Sequence, residues 1–255
     1  MRVQATVAIE VFPDRQRLIQ AAAEHIVQLA SDAAAKNEMF TMVLSGGSTP
    51  RPLYTLLASR AFAKSIDWPR VHVFWGDERC VPPEDPRSNY RMARETLLDA
   101  VPLLPGNIHR IHGEKEPQLA AAAYEQELRS FFGSRVPDEP PPVGFDLVLL
   151  GMGDNGHTAS LFPGMTAVTE RVRWVMAQYI EGVSTWRITL TPVVINAAKN
   201  VTFVVSGAEK AWRLRDVLEG PIQPEVLPAQ IIRPARGRPL WLIDKAAAGC
   251  LKRLD

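Results

Sequence analysis

Apolar positions along the chain follow two spacings. Short runs in which nearly every residue is apolar predict buried strands, and stretches with apolar residues every three or four positions predict amphipathic helices. The expected strands cover residues 3–12, 39–47, 71–78, 145–152, 174–180, 186–191, 201–207 and 239–244. The expected helices follow Asp14, Thr49 and Ser88 and cover residues 118–132, 157–162, 192–200, 208–220 and 245–253.

The near-regular alternation of strand and helix predicts an α/β protein. Continuously apolar runs such as 201–205 are typical of strands buried on both faces of a mostly parallel sheet, with helices on both sides. Sheets of this Rossmann-like kind carry their sites beyond the carboxyl ends of the strands. The proline-rich stretch 136–144 is short enough to be a surface loop, so we expect a single domain over residues 1–255.

Composition excludes several classes of partner. The 29 basic and 28 acidic residues leave a net charge of +1, so we expect neither nucleic acid nor an anionic membrane as a partner. No apolar run approaches the ~20 residues that a membrane span requires, and the N-terminus lacks a secretory signal, which favours a cytoplasmic protein. Two cysteines are too few for a disulfide framework and show no metal-binding spacing.

The turn "LSGGSTP" after the second predicted strand has the composition of an anion site. Gly46 and Gly47 allow close approach of a ligand to the backbone, and Ser48 or Thr49 is expected to cap a helix that has Pro50 at its first position. The free N–H groups and the dipole of such a helix attract anions. A plain capped turn is the alternative. No Gly-Lys-Ser/Thr follows, so a nucleotide triphosphate is not expected.

Two further strand ends carry charge. The stretch "WGDERCVP" contains Asp77, Glu78 and Arg79. The guanidinium of Arg79 could bind a phosphate, and the carboxylates of Asp77 and Glu78 could orient it or accept sugar hydroxyls; a local ion-pair cluster is the alternative. Lys210 lies in "VSGAEKAW", in the first turn of a predicted helix. A cation there is unfavourable for the helix dipole unless an anion is near, although a solvated surface lysine is also possible.

The stretch "FDLVLLGMGDNGHTASLFPG" contains the glycine spacing of a dinucleotide-binding fingerprint. That interpretation requires a helix after the third glycine and an acidic residue at the end of the next strand. Here Pro163 and Gly164 stop the helix early, and Gln178 stands where the acid should be. The glycines are better explained by a tight turn that projects His157 at the end of a strand and the start of a short helix.

These strand ends together predict a small phosphorylated substrate. They supply two glycine turns, an arginine, a lysine and an exposed histidine, and no cofactor motif or metal cluster accompanies them. The other histidines are expected to be structural. Without a nucleophilic Ser or Cys in a suitable turn, His157 would activate water or abstract a proton. The residues alone therefore indicate a sugar-phosphate hydrolase or isomerase.

The same motifs resemble the 6-phosphogluconolactonase family. The resemblance runs from about residue 10 to residue 245 and rests on "LSGGSTPRPLYTLLA", "VFWGDERCVPPEDPRSNYRMARETLL", the stretch around His157, "RITLTPVVINAAKNVTFVVSGAEKA" and "PLWLID". It implies a glucosamine-6-phosphate isomerase-type fold and no metal or organic cofactor. The implied reaction is hydrolysis of 6-phospho-glucono-1,5-lactone to 6-phosphogluconate in the oxidative pentose phosphate pathway.

The resemblance also implies roles for individual residues. His157 corresponds to the general base, and Arg79 and Lys210 are candidates for the phosphate. The remaining matches are the first glycine turn and two secondary contacts: Gly46, Gly47, Ser48, Thr49, Asn89 and Arg187. One position departs from the pattern: the family usually has Asp two residues before the histidine, and this chain has Asn155, preceded by Asp154.

Two alternative functions remain open from the sequence. An aldose–ketose isomerase/deaminase on the same fold would need a base for a carbon-bound proton, and Asp77 could serve. A non-catalytic sugar-phosphate sensor would need the anion sites but not His157. The chain itself is expected to be a monomer or a weak dimer.

Overall fold

The computed structural model describes residues 7–134, 141 and 144–252. Its strands are β1 (Ala8–Phe12), β2 (Phe40–Leu44), β3 (Val71–Trp75), β4 (Asp77–Arg79), β5 (Ile108–His109), β6 (Leu147–Leu150), β7 (Val175–Ile180), β8 (Thr185–Leu190), β9 (Val201–Val205) and β10 (Leu240–Asp244). Its α-helices are α1 (Arg15–Ala35), α2 (Pro50–Leu57), α3 (Asn89–Thr96), α4 (Pro117–Phe131), α5 (Thr166–Thr169), α6 (Pro192–Ile195), α7 (Ala211–Glu219) and α8 (Lys245–Ala248).

Seven strands form one parallel sheet in the order β1-β10-β9-β6-β2-β3-β5. The chain builds outward from β2 to β3 and β5, and then returns to the other side of β2 with β6. The boundary between β2 and β6 is therefore the point at which the strand order reverses. In open α/β sheets a ligand crevice forms beyond the carboxyl ends of the strands at such a point.

The α/β class expected from the apolar runs is confirmed. Every residue of β2, β6 and β9 is buried, which requires both faces of the central strands to be covered. Asp14 caps α1 by accepting a hydrogen bond from the Arg17 backbone N–H at 2.8 Å, and Ser88 caps α3 through the N–H of Arg91 at 3.1 Å. The predicted loop 136–144 lies largely outside the described residues, as do residues 3–6 of the first predicted strand.

A second sheet, not anticipated from the sequence, packs beside the first. It has three antiparallel strands in the order β4-β8-β7. The prediction of one strand over residues 71–78 was wrong, because the chain changes sheets at Gly76. The N–H of Gly76 donates to Leu44 O in the central sheet at 2.9 Å, and its carbonyl accepts from Leu190 N in the second sheet at 2.8 Å.

The short helix predicted over residues 157–162 is absent, and a compact turn takes its place. Thr158 and Leu161 form an isolated antiparallel bridge, and Ala159 has a φ of 47°. A non-glycine residue in the left-handed region cannot continue a right-handed helix. The next helix, α5, begins only at Thr166, after Pro163 and Gly164.

Candidate active site

A cavity of about 380 Å³ opens at the carboxyl ends of β2, β6 and β9, with β4 and β8 forming the opposite wall. It is therefore located at the reversal of strand order. All ten residues proposed for the site from the sequence line it, while the other four histidines do not. The ten are Gly46, Gly47, Ser48, Thr49, Asp77, Arg79, Asn89, His157, Arg187 and Lys210.

The turn after β2 presents backbone donors to the cavity. Gly47 has a φ of 113°, a conformation that favours glycine, and α2 begins at Pro50 as predicted. None of the N–H groups of residues 46–49 donates a hydrogen bond within the described part of the chain. Thr49 occupies the cap position without a side-chain cap, so the expected Ser/Thr capping bond is not formed. The turn is consequently a concave set of free donors suited to an anion.

Strand alternation separates the three charges of β4. Asp77 and Arg79 face the cavity, whereas Glu78 points to the opposite side of the strand. The Glu78 carboxylate accepts the backbone N–H groups of Asn89 and Tyr90 at 2.7 and 2.8 Å and therefore anchors the start of α3. Burial raises the pKa of Glu78 above its ordinary value. Glu78 is thus a structural residue rather than a substrate contact.

Asn89 is held tightly between β4 and the first glycine turn. Its Nδ2 donates to the backbone carbonyl of Asp77 at 2.9 Å, and its side chain occupies the space that a Cβ on Gly46 would need, with Oδ1 only 1.8 Å from that position. An alanine at residue 46 could therefore not be accommodated without displacing Asn89.

Arg79 and Arg187 are direct cross-strand neighbours on β4 and β8. Like charges placed opposite each other are unfavourable unless an anion lies between them. The Nε atoms of both residues are buried and have no hydrogen-bond partner among the described residues. Burial lowers the pKa of Arg187, and Arg79 lowers it further, while Asp77 acts in the opposite direction. The pair is well suited to a polyvalent anion such as phosphate.

Asn155 determines the tautomer of His157. Oδ1 of Asn155 accepts the backbone N–H of His157 at 3.1 Å and also lies 2.6 Å from the ring Nδ1. A backbone N–H can only donate, so the Asn155 atom must be the oxygen and Nδ1 must carry the proton. The Nε2 atom therefore keeps its lone pair.

The glycines around His157 have separate structural roles. A Cβ on Gly153 would lie 2.0 Å from Cε1 of the imidazole, so the ring can pack over the backbone only where glycine stands. Gly156 has a φ of 83° and makes the tight turn. On its other side the ring stacks on Phe162, with centroids 4.1 Å apart. The glycine spacing thus positions the histidine.

The environment of His157 favours its neutral form. Burial lowers the pKa of His157 below 6.5, and Lys210 and Arg187 lower it further, while Asp77 and Asp154 act in the opposite direction. A neutral imidazole with a free Nε2 can accept a proton near neutral pH.

The carboxylate of Asp77 is held in place by polar neighbours. Oδ2 accepts the Ser160 hydroxyl at 2.6 Å, and Oδ1 lies 3.3 Å from Nδ2 of Asn89. Ser160 is itself held by Gln178, whose Nε2 donates to the Ser160 carbonyl at 2.5 Å. Ser160 and Phe162 were not among the predicted site residues, although both lie in the motif "HTASLF". A helix was predicted there, and a helix does not direct these two side chains as the observed turn does.

Lys210 reaches the cavity from the turn after β9. Its ammonium pairs with the carboxylate of Asp154, which lies on the His157 turn. Asp154 is thus engaged by Lys210, and its electrostatic effect on His157 is smaller than that of Asp77.

Two further findings concern the described residues as a whole. No group of three or more His, Cys, Asp or Glu side chains in residues 7–134, 141 and 144–252 is arranged to hold a metal ion. Over the same ranges, each helix is too short or too polar to traverse a bilayer.

The parallel sheet, the free donors and the oriented histidine define an α/β protein whose cavity at the reversal of strand order is suited to an anion. The family model of glucosamine-6-phosphate isomerases/6-phosphogluconolactonase matches residues 13–241. The chain belongs to this family.

Individual relatives match over nearly their full length. A 6-phosphogluconolactonase of a Nostoc species is 43% identical over 240 residues, covering 94% of this chain and 96% of the relative. The 6-phosphogluconolactonase of Haemophilus influenzae is 37% identical, with coverages of 94% and 98%. The solved structure of 6-phosphogluconolactonase from Trypanosoma cruzi superimposes with a TM-score of 0.84 at 30% identity, covering 97% of this chain and 98% of that one.

Proposed function

We propose that the chain hydrolyses 6-phospho-D-glucono-1,5-lactone to 6-phospho-D-gluconate in the oxidative pentose phosphate pathway, with His157 as the general base. The observation that carries this proposal is the free Nε2 of His157 in a cavity that also presents cations and backbone donors. The 6-phosphogluconolactonases of Nostoc and Haemophilus influenzae, similar over nearly the whole chain, support the same reaction.

The phosphate is held by the cations and backbone donors that line the cavity. Arg79 and Lys210 supply charge-assisted hydrogen bonds, and the N–H groups of Gly46–Thr49 supply neutral ones. Arg187, first considered a secondary contact, faces Arg79 and strengthens the same anion site. Asp77 and Asn89 face the sugar hydroxyls. These contacts orient the lactone carbonyl toward His157.

Hydrolysis requires a base that accepts a proton from water and a carbonyl carbon that the water oxygen attacks. Nε2 of His157 takes a proton from water as the water oxygen bonds to C1, giving a tetrahedral oxyanion and an imidazolium. Backbone N–H groups at the cavity stabilise that oxyanion. The bond from C1 to the ring oxygen breaks, and the imidazolium returns its proton to the departing ring oxygen. The product is the open-chain acid, and the histidine is neutral again.

The isomerase/deaminase alternative requires a base for a carbon-bound proton. Asp77 would have that role, but its carboxylate accepts the Ser160 hydroxyl at 2.6 Å. Its other oxygen, Oδ1, lies 3.3 Å from Nδ2 of Asn89, so both carboxylate oxygens are engaged by polar neighbours. The environment of Asp77 therefore favours hydrolysis over isomerisation.

The test uses lactone generated freshly in the assay, with the enzyme-dependent rate compared with spontaneous hydrolysis. Acceleration by the chain supports the proposal, and a rate equal to the spontaneous one contradicts it and supports a sensor. Ammonia release from glucosamine 6-phosphate would instead support the deaminase. A single domain, a monomeric or weakly dimeric state and a cytoplasmic location remain predictions.

A further inference from the structure

Asp154 and Lys210 form an ion pair that joins two strand ends of the site. Asp154 lies on the turn between β6 and His157, and Lys210 lies on the turn after β9. Both side chains line the cavity proposed for the substrate. A second contact holds this turn: Nε of Arg213, in α7, donates to the backbone carbonyl of Asp154 at 3.2 Å.

The two partners differ in their exposure to solvent. The Asp154 side chain is 78% exposed, whereas that of Lys210 is 20% exposed. The lysine is therefore fixed within the wall of the cavity, and the carboxylate approaches it from the solvent side. The hydrogen bond from Lys210 holds the pKa of Asp154 below its usual value, so the carboxylate is ionised throughout the neutral range.

A carboxylate resembles a phosphate oxygen in charge and in hydrogen-bonding capacity. An incoming phosphate must share Lys210 with Asp154 or displace it. The sequence motif gives no indication of this competition, because Asp154 and Lys210 are 56 residues apart in the chain and meet only in the folded structure.

We propose that Asp154 is a positioning residue that competes with phosphorylated ligands for Lys210 and thereby weakens their binding. The inference rests on the proposed function, in which Lys210 contacts the phosphate. Its consequence for turnover is faster release of 6-phosphogluconate, because the carboxylate is available to replace the departing phosphate on Lys210.

The test is calorimetric titration with 6-phosphogluconate and, separately, with inorganic phosphate. Asp154→Asn should bind 6-phosphogluconate about two- to fivefold more tightly, the range expected for one exposed charge pair. The increase should shrink at high salt, because an exposed charge is screened. In steady-state assays KM should fall by a similar factor without a rise in kcat. Asp99→Asn is the matched control, since Asp99 is a similarly exposed carboxylate that pairs with Arg94 outside the cavity.

A double-mutant cycle with Lys210→Ala shows whether Asp154 acts through the lysine. In the Lys210→Ala background, Asp154→Asn should leave affinity unchanged. If Asp154→Asn still tightens binding in that background, the effect is general charge repulsion and the proposal is overturned. Unchanged or weaker binding by the Asp154→Asn variant alone would also overturn it. Absence of lactonase activity in the unmodified chain would instead contradict the proposed function, and inorganic phosphate would still report on the ion pair.

Discussion

Oδ1 of Asn155 lies 2.6 Å from Nδ1 of His157, and this contact leaves Nε2 as the free nitrogen of the ring. The family pattern has a carboxylate at this position. An amide oxygen orients the ring in the same way but adds no charge. Asn155 therefore separates two functions that an aspartate would combine: fixing the tautomer and stabilising the imidazolium.

Removal of the base should abolish most of the enzymatic rate. His157→Ala should lower kcat by about 10²–10⁴-fold, the usual contribution of one positioned base. Binding of 6-phosphogluconate should survive, because the anion contacts remain. Rates corrected for spontaneous hydrolysis, together with calorimetry, provide the measurement. Activity within about twofold of the unmodified chain would exclude His157 as the base.

The pH profile should report the charge at residue 155. Burial lowers the pKa of His157, so kcat/KM should rise with pH through a value below about 6.5. Asn155→Asp places a carboxylate beside the ring, which favours imidazolium and raises its pKa. The acid limb should then move to higher pH, while activity at pH about 8 is retained because the histidine is neutral there in both forms. An acid limb of the kcat/KM profile that stays at the same pH or moves to lower pH would contradict the contact between residue 155 and His157.

The facing arginines should contribute mainly to binding. Arg79→Ala and Arg187→Ala should each weaken 6-phosphogluconate binding by roughly 1.5–3 kcal/mol, the cost of losing a charge-assisted contact. Arg79→Lys should rescue only part of this loss, since lysine lacks the planar fork. Arg60→Ala, an exposed arginine outside the cavity, is the control. Unchanged affinity and unchanged KM in both alanine variants would place the phosphate elsewhere.

Gly153 tests the packing of the imidazole. Gly153→Ala would place a Cβ 2.0 Å from the His157 ring, so the ring must move and lose its bond to Asn155. Most of the activity should be lost, while circular dichroism remains native-like because the glycine lies in a turn. Gly106→Ala is the matched control, since a Cβ there meets nothing within 4 Å. Full activity in Gly153→Ala would show that the position of the ring is not critical.

A chelator should leave the rate unchanged. Among the described residues, no cluster of His, Cys, Asp and Glu is placed to bind a metal, and a neutral histidine can activate water without one. Incubation with EDTA followed by the lactone assay tests this expectation. Loss of activity that a divalent cation restores would reveal a metal site that the described residues do not suggest.

Local chemistry in the sequence was sufficient to predict the class of the fold and several of the residues that line the cavity, whereas Asn89 and Arg187 were indicated only by the family resemblance. Continuous apolar runs require burial on both faces, and in a parallel sheet this places the polar residues at the strand ends along one edge. The glycine turn at residues 46–49, Arg79, His157 and Lys210 were therefore identifiable from the order of strands alone.

Which side chains contact each other within the cavity is determined only by the tertiary structure. Arg79 faces Arg187 because β4 pairs with β8 in a second sheet, and strand pairing between distant segments leaves no local trace in either one. The left-handed Ala159 replaces the expected helix because Thr158 and Leu161 bridge across it. Local propensity describes how each segment folds by itself. Which side chains meet depends on contacts between segments, and the energies of these contacts are set by pairing and packing across the whole chain.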